Sequence, residues 1–178
     1  MIASGPRLSV PVSERDHSQG PAGAPVTLVE YGDYECSSCG AAYPIVKDVQ
    51  RRLGERLRFV FRNFPIRSSH PHAESAAEAA EAAGAQGKFW EMHDLLYEHQ
   101  DALDDAHLRD FALQVGLDVV RFERDVSEHR FAERVQEDFL GGARSGVNGT
   151  PTFFIDGVRY DGSWDEAPLV SALERAAR

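Results

Sequence analysis

Cysteine is nearly absent from this 178-residue sequence, which has only Cys36 and Cys39. Two cysteines cannot build a disulfide framework, so the fold must rest on a hydrophobic core. Nor can they complete a zinc site, whose other two ligands would have to be histidines or carboxylates far along the chain. Positive charge is also scarce: 19 lysines and arginines face 29 aspartates and glutamates, for a formal net charge of −10. That balance argues against nucleic acid and against an anionic membrane surface as partners. No hydrophobic run approaches the length of a membrane-spanning helix. The N-terminus lacks the basic segment, apolar run and small-residue cleavage site of a secretory signal. A cytoplasmic location is therefore expected, or a periplasmic or secreted one if an upstream signal was trimmed. Repeats and low-complexity segments are missing too, and the length suits one well-buried core with room for an inserted subdomain.

The two cysteines sit in the most informative stretch, Val26 to Gly40. Val26-Thr27-Leu28-Val29-Glu30-Tyr31 has the composition of a strand, and Gly32-Asp33 breaks it. From Ser37 the period changes. Ala42, Ile45, Val46, Val49 and Leu53 recur at helical spacing, so Cys36 falls at or just before a helix start and Cys39 inside its first turn. Unpaired N–H groups and the positive end of the peptide dipoles favour thiolate over thiol there. The thiolate is the attacking species in disulfide exchange, which makes Cys36 the candidate nucleophile. Cys39, three residues later on the same face, can close the disulfide that releases a trapped partner, and is the candidate resolving thiol. A zinc half-site or a pair of inert core cysteines is the alternative. A cytosolic Cys-x-x-Cys is more often catalytic than structural, because that compartment keeps ordinary thiols reduced.

In chain order, residues 1–25 hold Pro6, Pro11, Pro21 and Pro25 and read as an extended arm, in which Leu8 to Val12 could add a short edge strand. After the cysteine helix, which contains Pro44, Gly54 ends the period and Arg58 to Phe64 forms a second strand. Strand, helix, strand makes a βαβ unit with parallel strands. From Ala73 to about Phe139 the pattern is helical throughout, four or five short amphipathic helices before Gly141-Gly142. The alanine-rich first of these, with Glu74, Glu78 and Glu81, suits a helix packed closely on one side and wet on the other. Ala143 to Gly149 reads as a glycine-rich loop. Two apolar runs around Asp156-Gly157 then signal an antiparallel hairpin, and a final helix carries Leu169, Leu173 and Ala176.

The order βαβ, helical insert, ββα, with Cys-x-x-Cys opening the first helix, resembles the thioredoxin fold. The insert resembles the DsbA-like branch of thiol-disulfide oxidoreductases. The resemblance rests on the Leu-Val-Glu-Tyr strand, Cys36-Ser37-Ser38-Cys39, Pro44, and Gly149-Thr150-Pro151-Thr152 before an apolar strand. It implies an α/β thioredoxin-like domain over residues 26–72 and 143–178, with an all-helical insert over 73–142. It implies a redox-active Cys36–Cys39 disulfide, no dissociable cofactor, and protein thiols or disulfides, or glutathione, as partners of a monomeric enzyme. Pro151 matches the proline that is cis in that family and lies against the disulfide, so Thr150 and Pro151 are expected to shape the substrate cleft. Glu30 matches the acidic residue six positions before the first cysteine and is expected to exchange the proton of Cys39.

Ser37-Ser38 departs from the DsbA-like pattern, which often places a histidine between the cysteines to stabilise the thiolate. Glu30, Asp33 and Glu35 are negative neighbours that raise the pKa of Cys36 against the helix dipole, so a pair less oxidising than DsbA itself is expected. Two other functions fit the same scaffold. One is a glutathione-dependent transferase or isomerase, which would not need Cys39. The other is a chaperone-like binding module that works through the helical insert. Of the seven histidines, His70 and His72 read as part of a turn before a helix, and His93 and His99 lack metal-binding spacing on a helix, so no metal is expected. Arg62 reads as an end-of-strand arginine in solvent.

Overall fold

The structure is a computed structural model that describes residues 5–178, so the first four residues of the expected arm lie outside the described residues. In chain order the elements are β1 (His17–Gln19), β2 (Val26–Gly32), α1 (Ser37–Leu53), β3 (Leu57–Asn63), α2 (Ala73–Gly84), α3 (Phe89–Glu98), α4 (Asp105–Gln114), α5 (Val119–Ser127), α6 (Ala132–Arg144), β4 (Thr152–Ile155), β5 (Val158–Tyr160) and α7 (Glu166–Ala176). The five strands form one sheet in the order β1-β3-β2-β4-β5. This is the mixed α/β thioredoxin-type architecture expected from the sequence.

Contacts divide the chain into two compact units. The first comprises residues up to 32 with 41–62 and 140–178. Its central strands β2 and β3 are nearly continuous runs of buried residues, as sheets covered on both faces require. Tyr31 and Phe154 meet edge to face at 5.8 Å in its core. β2 pairs antiparallel with β4, with Glu30 opposite Phe153 and Tyr31 opposite Thr152. The β4–β5 turn has positive φ at both Asp156 (47°) and Gly157 (83°), the conformation a two-residue hairpin needs. The Asp156 carboxylate accepts from the Thr27 N–H at 2.9 Å and ties that turn to β2.

The second unit comprises residues 33–40 and 63–139. Here α2 packs against α3, α4 and α5, and nearly every alanine of α2 is fully buried. Phe64 and Phe139 stack at 4.3 Å. The contacts thus divide the chain differently from the sequence pattern. The cysteine-bearing segment and residues 63–72 group with the helices, because Asp33 and Glu35 hydrogen-bond into the segment before α2.

Four expectations need correction. The edge strand of the arm is His17–Gln19, paired with β3; Leu8 to Val12 is not a strand, and an isolated bridge joins Arg7 to Val158 instead. Arg62 is not in solvent but 3% exposed. It grips both carboxylate oxygens of Asp16 at 2.8 and 3.0 Å and donates to the Val10 carbonyl at 2.9 Å and the Tyr31 hydroxyl at 2.9 Å. Burial opposes the guanidinium charge, yet Asp16 and Tyr31 leave its pKa above the ordinary value. The alanine-rich helix has no fully wet face: Glu78 and Glu81 are buried, facing His129 and Arg134. Lastly, α6 runs through Gly141-Gly142 to Arg144. A Cβ on Gly141 would sit in ordinary van der Waals contact, 3.4 Å from a Val10 methyl.

Candidate functional site

Cys36 immediately precedes α1, and its carbonyl accepts the Gly40 N–H at 3.0 Å, which makes it the residue that opens the helix. Cys39 follows in the first turn. Cys36 is 8% exposed and Cys39 fully buried, while Ser37 and Ser38 between them face solvent. Both cysteines are buried, Cys36 the less completely. Of the expected apolar face, Ala42, Val46, Val49 and Leu53 are in the core, while Ile45 is only half-buried.

Side chains of the second unit fix this turn. The Gln100 amide donates to the carbonyls of Tyr34 and Cys36, both at 2.9 Å. Gly40 leaves room for that amide, since a Cβ there would sit 2.0 Å from the Gln100 Oε1. The Tyr34 hydroxyl shares a 2.8 Å hydrogen bond with Nδ1 of the buried His93, whose ring lies among Phe89, Trp90 and Tyr97. Asp33, 1% exposed, accepts the Cys36 N–H on its carbonyl at 3.1 Å. Its carboxylate accepts the N–H of Glu35 at 2.8 Å and of Ile66 at 2.9 Å, and lies 2.7 Å from Nδ1 of His70. That hydrogen bond raises the pKa of His70 above its ordinary value; burial opposes the shift, and the charges of Asp33, Cys36 and Glu35 add to it. Glu35 in turn accepts the His72 N–H and lies 3.4 Å from its Nδ1. His70 and His72 therefore do more than form a turn.

The other expected site residues lie in the first unit. Glu30 is 2% exposed in the middle of β2. Thr150 and Pro151 are half-buried ahead of β4, and the bond between them is cis. Pro151 borders a groove whose walls include Asn148, Arg159, Tyr160 and Trp164. The Thr152 hydroxyl donates to the Gly149 carbonyl at 2.7 Å and holds the turn before that groove. Among the described residues, no cluster of three or more His, Cys, Asp or Glu could hold a metal ion.

Sequence reasoning missed Gln100 and gave no role to the Asp33–His70 pair. For Gln100 the sequence offers no local signal. For the pair, an acid three residues before the first cysteine and a histidine just beyond the second strand were the available hint.

A thioredoxin family model matches residues 12–175. The crystal structure of oxidised BdbD from Bacillus subtilis aligns with a TM-score of 0.84 at 23% identity and covers 98% of each chain. A thioredoxin-like oxidoreductase from Silicibacter pomeroyi DSS-3 aligns at 0.81 with 27% identity, over 92% of this chain and 93% of that one. Among curated sequences, the Na(+)/H(+) antiporter NhaA 1 of Salinispora arenicola is 48% identical over 170 residues, which is 95% of this chain but 26% of the antiporter. The chain spans about a quarter of the length of the curated relatives it matches.

Proposed function

The chain belongs to the thioredoxin family and has the fold of its DsbA-type members, and from that premise we propose that it exchanges disulfides with protein or small thiols through Cys36 and Cys39. In the reductive direction, the Cys36 thiolate attacks a partner disulfide. The Cys36 sulfur bonds to one partner sulfur, and the other leaves as a thiolate. Cys39, deprotonated, then attacks the Cys36 sulfur and forms the Cys36–Cys39 disulfide. The second partner thiolate departs, so two electrons have passed to the partner. The oxidative direction is the reverse. Neither direction needs a dissociable cofactor.

The observation that carries this reading is the position of Cys36, which opens α1 with Cys39 inside the first turn and is the less completely buried of the two. Glu30 is assigned the proton that Cys39 loses before it attacks, as a buried carboxylate on β2. Pro151, which borders the groove ahead of β4, and Thr150 before it are assigned to the partner's extended backbone. The chain matches 26% of the first antiporter relative, and no described helix is long and apolar enough to cross a membrane.

The test is to trap the intermediate. Cys39→Ser, incubated with oxidised glutathione or a disulfide-bonded protein, is expected to accumulate a mixed disulfide on Cys36, and Cys36→Ser to accumulate none. A mixed disulfide that forms equally well in either variant contradicts the assignment. Glutathione held tightly by the wild type with no dithiol turnover favours a glutathione transferase instead.

A further inference from the structure

Neither residue between the cysteines carries charge, since both are serine. The charge around Cys36 therefore comes from elsewhere, and at first sight it is negative, from Asp33 and Glu35. In the structure each of these acids faces a histidine from the segment leading into α2: Asp33 faces His70 and Glu35 faces His72. The Asp33 arrangement is a built one. Its side chain is fully buried, it accepts two main-chain N–H groups, and its Oδ2 meets Nδ1 of His70. A carboxylate only accepts, so Nδ1 must carry the hydrogen, and Nε2 is left as the nitrogen that takes or loses a proton. The His70 side chain is 24% exposed, enough to exchange that proton with water.

Geometry also couples His70 to the nucleophile. The Asp33 residue that holds the imidazole accepts the Cys36 N–H on its own carbonyl. The charges of Asp33, Cys36 and Glu35 all favour the protonated ring.

We infer that His70, fixed by Asp33, supplies from outside the Cys-x-x-Cys segment the positive charge that stabilises the Cys36 thiolate. The inference rests on the reading of Cys36 as the attacking thiol. His70 is a positioning residue that acts through Cys36. When the Cys36 thiol ionises, its proton goes to solvent and Nε2 of His70 keeps its own, so an ion pair forms. Interaction between two titrating groups is mutual: a thiolate that raises the pKa of His70 is favoured to the same extent by the protonated ring. Above the pKa of His70 the support vanishes.

The decisive experiment follows the Cys36 thiolate by its ultraviolet absorbance against pH in reduced Cys39→Ser protein, with His70→Gln and His70→Lys added. His70→Gln is expected to raise the Cys36 midpoint by about one unit, the lower end for a neighbouring charge. His70→Lys, which keeps a charge, is expected to restore most of the shift. In the wild-type pair, His70→Gln shifts the exchange equilibrium with glutathione about tenfold towards the disulfide, or about 30 mV towards a more reducing potential. A Cys36 titration that is the same with histidine and glutamine overturns the inference.

If the substitutions do not fold, the wild type alone decides. The His70 imidazole, titrated by NMR, is expected to have a lower pKa in the disulfide form than in the dithiol form, and equal values overturn the proposal. Both titrations are readable whether or not the protein exchanges disulfides. A protein with no exchange but a His70-dependent thiolate contradicts the proposed function alone, and active exchange with an indifferent thiolate contradicts this inference alone.

Discussion

The side-chain amide of Gln100 reaches the main-chain oxygen of Cys36 at 2.9 Å, and it fits only because position 40 has no side chain. Gln100→Ala is expected to lower stability by about 1–2 kcal/mol, as two hydrogen bonds to the cysteine turn are lost. Gly40→Ala displaces the same amide and is expected to destabilise the wild type. In a Gln100→Ala background the clash is gone and alanine is the better helix residue, so Gly40→Ala should there be neutral or stabilising. Denaturant melts of the double-mutant cycle read that reversal directly. Equal effects in both backgrounds contradict it.

Arg62 and Asp16 form a pair that is 3% and 10% exposed and holds the carbonyls of Val10 and Pro11 as well. Asp16→Asn leaves a buried guanidinium without its countercharge and should cost about 3 kcal/mol. Limited trypsin digestion should then cut more readily at Arg15, which precedes the pair. Unchanged stability and unchanged cleavage would show that the pair does not anchor the arm.

His70 carries a sign for pH dependence. Its folded-state pKa is raised, first by the hydrogen bond to Asp33 and against the opposing effect of burial. A raised histidine contributes stability that is complete below the unfolded value of about 6.5 and is lost as pH rises through the folded value. The Tm difference between wild type and His70→Gln should therefore be largest near pH 6 and shrink in alkaline buffer. A constant difference across that range contradicts the assignment.

The alanines of α2 are tight contacts, whereas the face of α5 that carries Val120 is open. Ala79 is fully buried and Val120 is 76% exposed. Ala79→Leu overpacks the junction of α2 with its neighbours and should cost about 2 kcal/mol. Val120→Ala should stay within about 0.5 kcal/mol. Thermal melts of both variants test the contrast.

Much of the fold was legible because its signals are local. Val26 to Tyr31 reads as a strand, Ala42 to Leu53 repeats at helical spacing, and Asp156-Gly157 has the residues a hairpin turn demands, so β2, α1 and the β4–β5 pair could be placed from neighbours alone. Cys36 and Cys39 could be placed at the helix start for the same reason. What stayed hidden depends on partners distant in sequence. Arg62 looks like a solvent-facing strand end until Asp16, 46 residues away, is brought against it. Gln100 lies 64 residues from Cys36. Asp33 reads as an unopposed negative charge until His70, 37 residues on, meets it. Gly141-Gly142 reads as a helix end from local propensity, whereas α6 continues through both to Arg144.

The central claim is that Cys36 and Cys39 act as one redox pair, and the most direct measurement is their reduction potential in glutathione buffers, read by counting thiols. Two thiols per chain are expected to appear and disappear together in a single two-electron transition. The midpoint should fall between about −270 mV, the value for thioredoxin, and about −120 mV, the value for DsbA. Two cysteines that titrate independently, or remain thiols at every buffer ratio, would contradict it.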